Sequence, residues 1–225
     1  MYRDCEWTPP LSQKVIIMSD PKKERGYFEK CLAIDCETSG LFFSKDSDDP
    51  STNLKTGETY QAVSWGLIVA DANTLRPIEK LYVEIKWNGT SLWEPKAEAV
   101  HGLSKQYLEE NGVSEEEAVI TIASFILKHF GPENALHPLG HNVQFDIRFL
   151  RQLMRKFGVE LKFGNRILDS YSIGAVTFGT YNSDHLFNAC GLPERKLHNA
   201  LEDIEYTLES CRRIKMIFKA GLGEE

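Results

Sequence analysis

The chain has 225 residues, of which 42% are hydrophobic and 26% are charged, a composition typical of globular proteins with a buried core. Its longest apolar runs have four residues, whereas a membrane-spanning helix needs about 20, so we expect no membrane span. No apolar stretch follows the first four residues, and we therefore expect no secretory signal. The length favours one large domain, or one domain with an appendage. We assign residues 1–30 to an N-terminal extension of unknown role and residues 31–221 to the domain.

The formal net charge is −7, from 26 basic and 33 acidic residues. This balance argues against a protein that holds polyanions by bulk electrostatics. It leaves room for a nucleic-acid enzyme whose carboxylates bind metal ions. The five cysteines include no Cys-x-x-Cys pair, which favours buried thiols in a reducing cytosol over disulfides or a zinc site. We therefore expect a cytoplasmic protein.

Three strands are predicted in the first half of the chain. Residues 31–34 are apolar on both faces, as expected of a central strand that is covered on both sides. A polar loop follows at 44–59, and two segments with alternating apolar residues come next, at 63–69 and 81–87. The segment 71–74 reads as the turn between them. Together these features predict a three-stranded antiparallel meander.

The second half of the chain is predicted to alternate helices with two short strands. A capping box at 114–117 begins one helix, and Gly131 ends it. The later segments, in chain order, are a strand at 135–140, a helix at 145–157, a strand at 166–168 and a helix at 199–220. The order β-β-β-α-α-β-α-β-α-α predicts a mixed α/β domain with helices flanking a sheet.

Two carboxylates, Asp35 and Glu37, come directly after the first buried strand. Side chains two residues apart project from the same face of a strand, and ligands bind at the carboxyl end of central strands in open α/β sheets. Adjacent carboxylates repel each other unless a cation joins them or one of them takes up a proton. Hard divalent ions such as Mg²⁺ prefer oxygen ligands. Taken alone, the pair also fits a helix cap or a solvated strand end.

Two further carboxylates face inward on helices. Asp146 lies near the middle of the apolar arc of its helix, where burying an unpaired carboxylate costs several kcal/mol. The alternative is that Asp146 caps the N-terminus of the helix. Asp203 lies on the flank of the inward arc of the last helix. His198 stands five residues before it and can accept a proton at neutral pH, although a lone histidine beside a helix is usually a cap or a surface residue. The combination predicts a Mg²⁺ or Mn²⁺ site with an adjacent base.

The segments that carry these residues resemble the motifs of the DEDDh (DnaQ-like) 3′–5′ exonucleases. Residues 33–41 (AIDCETSGL) resemble the first motif, 140–150 (GHNVQFDIRFL) the second and 198–203 (HNALED) the third. Residues 99–103 (AVHGL) are similar to a substrate-side signature, and the match spans 32–218. RNase T, oligoribonuclease and the proofreading subunit of bacterial replicative polymerase belong to this family. The resemblance implies a ribonuclease-H-like fold with a mixed sheet of about five strands.

The resemblance also implies a role for each of the five residues. Asp35, Glu37, Asp146 and Asp203 would bind two Mg²⁺ or Mn²⁺ ions, and His198 would be the general base. The implied activity is two-metal-ion hydrolysis that releases nucleoside 5′-monophosphates from single-stranded DNA 3′ ends. Hydrolysis of RNA, as by RNase T or oligoribonuclease, is the alternative, and a non-catalytic nucleic-acid-binding module is disfavoured because all five residues are present.

A second set of residues is predicted to contact the 3′-terminal nucleotides. Residues 38–40 would offer backbone N–H groups to the 3′ end, and Leu41 with Phe42 and Phe43 would stack on or wedge between bases, unless the two phenylalanines pack in the core. The predicted substrate-binding residues are Thr38, Ser39, Gly40, Leu41, His101, Asn142 and Phe145. Asp169 fits either a fifth metal ligand or, preferably, a helix cap.

The expected partner is a single-stranded nucleic acid 3′ end. Only 22 residues follow Asp203, whereas the proofreading subunit of bacterial replicative polymerase carries a longer tail that binds the polymerase. We therefore expect a free-standing enzyme with no polymerase partner. A homodimer is left open at this stage.

Overall fold

The computed structural model describes residues 28–41 and 59–221. Residues 1–27, Phe42, Phe43 and residues 44–58 of the predicted polar loop lie outside this part of the chain. The strands are β1 (Lys30–Thr38), β2 (Ala62–Asp71), β3 (Pro77–Glu84), β4 (Pro138–Gly140) and β5 (Leu168–Asp169). The helices are α1 (Pro95–His101), α2 (Lys105–Asn111), α3 (Glu115–Phe130), α4 (Gln144–Lys156), α5 (Ser170–Phe178), α6 (Ser183–Ala189) and α7 (Ala200–Gly221).

The five strands form one mixed sheet in the order β3-β2-β1-β4-β5, with β1 at its centre. The strands β1, β2 and β3 pair antiparallel, which confirms the predicted meander. The strands β4 and β5 continue the sheet parallel to β1. The carboxyl ends of β1, β4 and β5 therefore meet at one edge of the sheet, where open α/β sheets bind their ligands.

Several boundaries differ from the prediction. The strand β1 continues to Thr38, so Asp35 and Glu37 lie within the strand rather than after it. The strand β3 ends at Glu84, and Trp87 lies beyond it with its indole N–H donated to the carbonyl of Ser91. The described residues contain seven helices where the predicted order has five. The helices α1, α2 and α6 have seven residues each, too short for a clear apolar period.

The two faces of the sheet are covered by different helices. Leu32 and Ile34 of β1 pack in a cluster with residues of α3 and α4, such as Ile122 and Leu150. The alternate residues of β1 face the long helix α7, where Ala33 shares a second cluster with Ile204 and Leu208. Because side chains alternate along a strand, Asp35 and Glu37 lie on the face that α7 covers.

The start of α7 lies very close to the centre of the sheet. Gly66 of β2 pairs with Asp35 of β1 in the antiparallel register. A methyl group added at Gly66 would stand 2.2 Å from the carbonyl oxygen of Ala200 and 2.5 Å from the amide nitrogen of Leu201. Glycine therefore permits the backbone of α7 to rest on β2. This contact places the first turn of α7 over the strand that carries Asp35.

The capping residues at the helix ends are those that the sequence predicted for α3, and α7 also has a side-chain cap. Ser114 and Glu117 form the predicted capping box, and α3 ends at Phe130, before Gly131. Asn199 caps α7 by accepting from the backbone N–H groups of Leu201 and Glu202. Among the described residues, no helix combines the length and apolar character that crossing a bilayer requires.

We expect Gly66→Ala to lower the free energy of unfolding by about 1–3 kcal/mol, because the added methyl group must push α7 away from β2. Gly221→Ala is the matched control, since a methyl group there meets no atom within 4 Å, and it should change stability by less than about 0.5 kcal/mol. Denaturant unfolding measures both variants. A Gly66→Ala protein as stable as wild type would show that the helix is not seated on the glycine.

Candidate active site

The structure brings the four predicted carboxylates and the histidine into one cavity. Asp35 and Glu37 come from β1, Asp146 comes from the first turn of α4, and Asp203 comes from the first turn of α7. His198 lies two residues before α7, and its backbone N–H donates to the carbonyl of Val100 at the end of α1. Segments far apart in sequence therefore meet at the carboxyl end of the central strand.

Asp146 is directed at β1 rather than at its own helix terminus. The N-cap residue of α4 is Val143, which makes no side-chain cap. The carboxylate of Asp146 instead accepts the backbone N–H of Cys36, with Oδ1 3.0 Å from the nitrogen. This bond ties the start of α4 to the strand between the two β1 carboxylates. The residue is only 3% exposed, and burial raises the pKa of Asp146 to about 8.

The carboxylates disturb one another because they are crowded and partly desolvated. Burial and then the neighbouring charge of Asp146 raise the pKa of Asp35 well above its usual range. Burial and then repulsion from Asp203 raise the pKa of Glu37 to about 7. Shifts in this direction show that burial, and then repulsion between neighbouring carboxylates, disfavours the ionised forms. Such a set of oxygen donors fits a hard divalent cation.

One subset of these groups has the spacing of a cation site. A carboxylate oxygen of Glu37, one of Asp203 and a ring nitrogen of His198 all lie within 4.8 Å of one another. The Nδ1 of His198 is 3.0 Å from Oδ2 of Asp203, and this hydrogen bond is the main cause that raises the pKa of His198. With Nδ1–H donated to the carboxylate, the lone pair of the neutral imidazole is on Nε2.

The sequence analysis missed one functional candidate, Arg195. Its guanidinium forms an ion pair with Oδ1 of Asp203 and lines the same cavity, with its side chain only 3% exposed. In the sequence it stands beside Glu194 and Lys196 in a polar stretch without periodicity, which reads as a solvated loop. Only the position of α6 relative to α7 shows that this arginine is buried, so the sequence carries no local signal for it.

Two of the predicted substrate residues, Asn142 and Phe145, line the cavity. Asn142 has a positive φ of 58°, and its backbone N–H donates to Oδ1 of Asp169, at 2.8 Å. The same Oδ1 accepts from the backbone N–H of Tyr171, so Asp169 is the cap of α5, as favoured, and it does not line the carboxylate cavity. Phe145 packs against Phe149 with ring centroids 4.9 Å apart.

The other predicted substrate residues lie beside the cavity rather than in its lining. The N–H of Ser39 donates to the carbonyl of Gln61 at 2.8 Å, so it is not available to a nucleotide, contrary to the expectation. Gly40 is packed against the ring of Tyr60, and Leu41 is 70% exposed. The hydroxyl of Thr38 donates to the carbonyl of Gly40 at 2.7 Å.

His101 and His141 are held by the protein's own polar groups. His101 is buried, and its Nδ1 accepts the backbone N–H of Leu103 at 3.0 Å. His141, to which the sequence analysis gave no role, lines the cavity and lies 2.9 Å from the hydroxyl of Ser170 through Nδ1. Burial lowers the pKa of both imidazoles, so both favour the neutral form.

Solved structures of exonuclease I, among them that of E. coli, have the same fold. A zinc-bound complex with single-stranded DNA matches with a TM-score of 0.66 and 18% identity, over 84% of this chain and 41% of that chain. A complex with a dT13 oligonucleotide gives 0.66 and 17%, over 86% and 43%. A third structure, described as suggesting how processivity is achieved, gives 0.65 and 18%, over 84% and 41%. The chain thus spans about two fifths of the length of these proteins.

These likenesses confirm the predicted ribonuclease-H-like fold. A comparison with curated proteins finds no match. Residues 32–210 match the family model described as Exonuclease, which carries the name of RNase T. That range covers most of the chain, and the chain therefore belongs to the DEDDh family of 3′–5′ exonucleases.

Proposed function

We propose that the chain hydrolyses single-stranded DNA from its 3′ end with the help of divalent cations and releases nucleoside 5′-monophosphates. The observation that carries this proposal is the single cavity lined by Asp35, Glu37, Asp146, Asp203 and His198. The E. coli exonuclease I structures with single-stranded DNA support the choice of substrate. We place this activity in a domain formed by residues 31–221, with residues 1–30 as an extension.

The four carboxylates would hold two Mg²⁺ or Mn²⁺ ions. All four line one cavity, and two of them, Glu37 and Asp203, have carboxylate oxygens within 4.8 Å of each other and of a ring nitrogen of His198. The raised pKa values of Asp35, Glu37 and Asp146, caused mainly by burial, support a role for cations in keeping these groups ionised. When bound, such ions lower the pKa of an attacking water and stabilise negative charge on the phosphate and on the leaving oxygen. They would also give an acidic protein positive charge at the point where the scissile phosphate lies.

His198 is proposed as the general base. Asp203 accepts from Nδ1 and so fixes the ring with Nε2 as the free acceptor. The imidazole is partly exposed at the rim of the cavity, where a water molecule can reach it. His198 would take the proton of that water as the water attacks phosphorus. The bond from phosphorus to the leaving 3′ oxygen would break, and that oxygen would take up a proton from solvent. Asp203 would stabilise the imidazolium that forms, and His198 would then release its proton to solvent.

Phe145 and Asn142 are proposed to hold the terminal nucleotide. Both line the cavity, and an aromatic ring stacks on any base, which suits an enzyme without sequence preference. Leu41 is exposed just beyond β1 and remains a candidate contact for the bases. The backbone of Asn142 is fixed by Asp169, so its side chain is presented from a rigid turn.

The first test uses oligonucleotides of DNA and RNA labelled at the 3′ or the 5′ end. We expect mononucleotide release from DNA 3′ ends with Mg²⁺ and none with EDTA. Asp146→Asn should lower activity at least about 100-fold, because the amide keeps the oxygen that accepts from Cys36 but loses the charge that binds a cation. Glu202→Gln, an exposed neighbour of Asp203, should be as active as wild type. Activity that persists in EDTA refutes the metal dependence, and a preference for RNA refutes the substrate assignment.

We expect His198→Ala to lower kcat by about 10²–10⁴ and to leave the affinity for Mn²⁺ largely intact. A proton acceptor is lost, whereas the four carboxylates remain. Calorimetric titration with Mn²⁺ separates the two effects. If cation affinity falls in proportion to activity, His198 serves as a ligand and not as the base.

A third prediction concerns stability in the absence of metal. The pKa of Asp146 rises from 3.8 to about 8 on folding, so its stabilising contribution is complete below about pH 4 and is lost as the pH rises through 8. In EDTA, Asp146→Asn should therefore be more stable than wild type, by a margin that grows from about pH 5 to pH 8 and reaches roughly a few kcal/mol. Thermal melts measure it. Mg²⁺ should stabilise wild type and not the variant. A margin that is constant with pH would contradict the raised pKa of Asp146.

A further inference from the structure

We propose that Arg195 is a positioning residue that orients the Asp203 carboxylate toward His198, and that the arginine competes with the divalent cation for the same carboxylate. This inference rests on the proposed function of the cavity. It assigns a role to a residue between α6 and α7 that the sequence motifs leave out.

The guanidinium is anchored on α6 independently of Asp203. Its Nη2 lies 2.5 Å from Oδ1 of Asp184 and 3.2 Å from the hydroxyl of Ser183. Its Nε lies 3.1 Å from the same Asp184 oxygen, and its carbon Cζ stands 4.8 Å over the ring of Phe187. These contacts use one edge and one face of the planar group. They fix where the remaining nitrogen, Nη1, is directed.

The remaining nitrogen of Arg195 forms an ion pair with Oδ1 of Asp203. The other oxygen of that carboxylate, Oδ2, lies 3.0 Å from Nδ1 of His198. The three side chains therefore form a chain in which Arg195 sets the rotation of the carboxylate and the carboxylate sets the imidazole. A lysine cannot reproduce this arrangement, because a single ammonium lacks the fork that bonds α6 and Asp203 at once.

The same contact opposes the binding of a cation. Asp203 would ligate the metal, yet a permanent positive charge already stands at one of its oxygens, in a side chain that is 97% removed from solvent. Screening by salt is weak at such a position. The arginine has two effects on cation affinity: its charge repels a divalent ion a few ångströms away, and its contact orders one carboxylate ligand. The repulsion is the larger effect. Removal of the charge should therefore tighten cation binding while it slows the reaction.

The test is calorimetric titration with Mn²⁺ together with steady-state kinetics on a DNA oligonucleotide. Arg195→Met keeps an apolar stem against Phe187 and removes the charge. We expect its Kd for Mn²⁺ to fall about tenfold or more and its kcat to fall at least about tenfold. Arg195→Lys keeps the charge and loses the fork, so its Kd should stay within about threefold of wild type while kcat falls at least about tenfold.

Arg213→Met is the matched control. Arg213 also ties α7 to the chain that follows α6, since its Nη1 donates to the carbonyls of Cys190 (2.9 Å) and Gly191 (3.2 Å). It pairs with Glu209 and is not among the residues that line the cavity. Its loss should leave both the Kd for Mn²⁺ and kcat unchanged.

A lower Kd for Mn²⁺ together with a lower kcat distinguishes positioning from simple structural support, because damage to the fold would raise that Kd. Unchanged or weaker Mn²⁺ binding by folded Arg195→Met overturns the proposal. If that variant does not fold, wild-type kcat in Arg195→Lys overturns it. A wild-type protein that binds Mn²⁺ but cleaves no nucleic acid refutes the proposed function, and the change in Kd is still measurable in that case.

Discussion

The contact between α7 and the middle of the sheet is the constraint on which the cavity depends. Gly66 has no side chain, so the backbone of Ala200 rests on β2 beside the position where Asp35 lies on β1. The first turn of α7 then carries Asp203 over the strand instead of past its edge. A larger residue at position 66 would move Asp203 away from Asp35 and Glu37 without altering any of the carboxylates, because the contact of α7 with β2 positions Asp203.

Packing brings the carboxylates together against their mutual repulsion. The pKa values of Asp35, Glu37 and Asp146 are all raised, mainly by burial, and each gains stability from a proton in the absence of metal. The folding energy of the surrounding core must offset this cost. Leu32, Ile34 and the apolar faces of α3 and α4 supply burial on one side of β1, and α7 supplies it on the other.

The sequence predicted the elements whose apolar pattern runs over many residues, and it predicted the polar residues that interrupt such a pattern. The inward position of Asp146 follows from the apolar arc of α4, and the burial of β1 follows from its continuous apolar run. The short helices α1 and α6 were not predicted, because seven residues give barely two turns. Arg195 was also missed. Its burial depends on how α6 packs beside α7, and the sequence around a residue does not predict contacts between two separate elements.

Asp203 differs from the other three carboxylates in its partners. A guanidinium pairs with one of its oxygens and an imidazole with the other, whereas Asp146 accepts from the neutral backbone of β1. Positive charge is thus concentrated on the α7 side of the cavity, and the uncompensated negative charge lies on the β1 and α4 side. The guanidinium cannot move toward that side, because Asp184 and Phe187 hold it on α6. Without metal, protons on the carboxylates reduce this negative charge, and the divalent cations that we propose for the cavity would replace them.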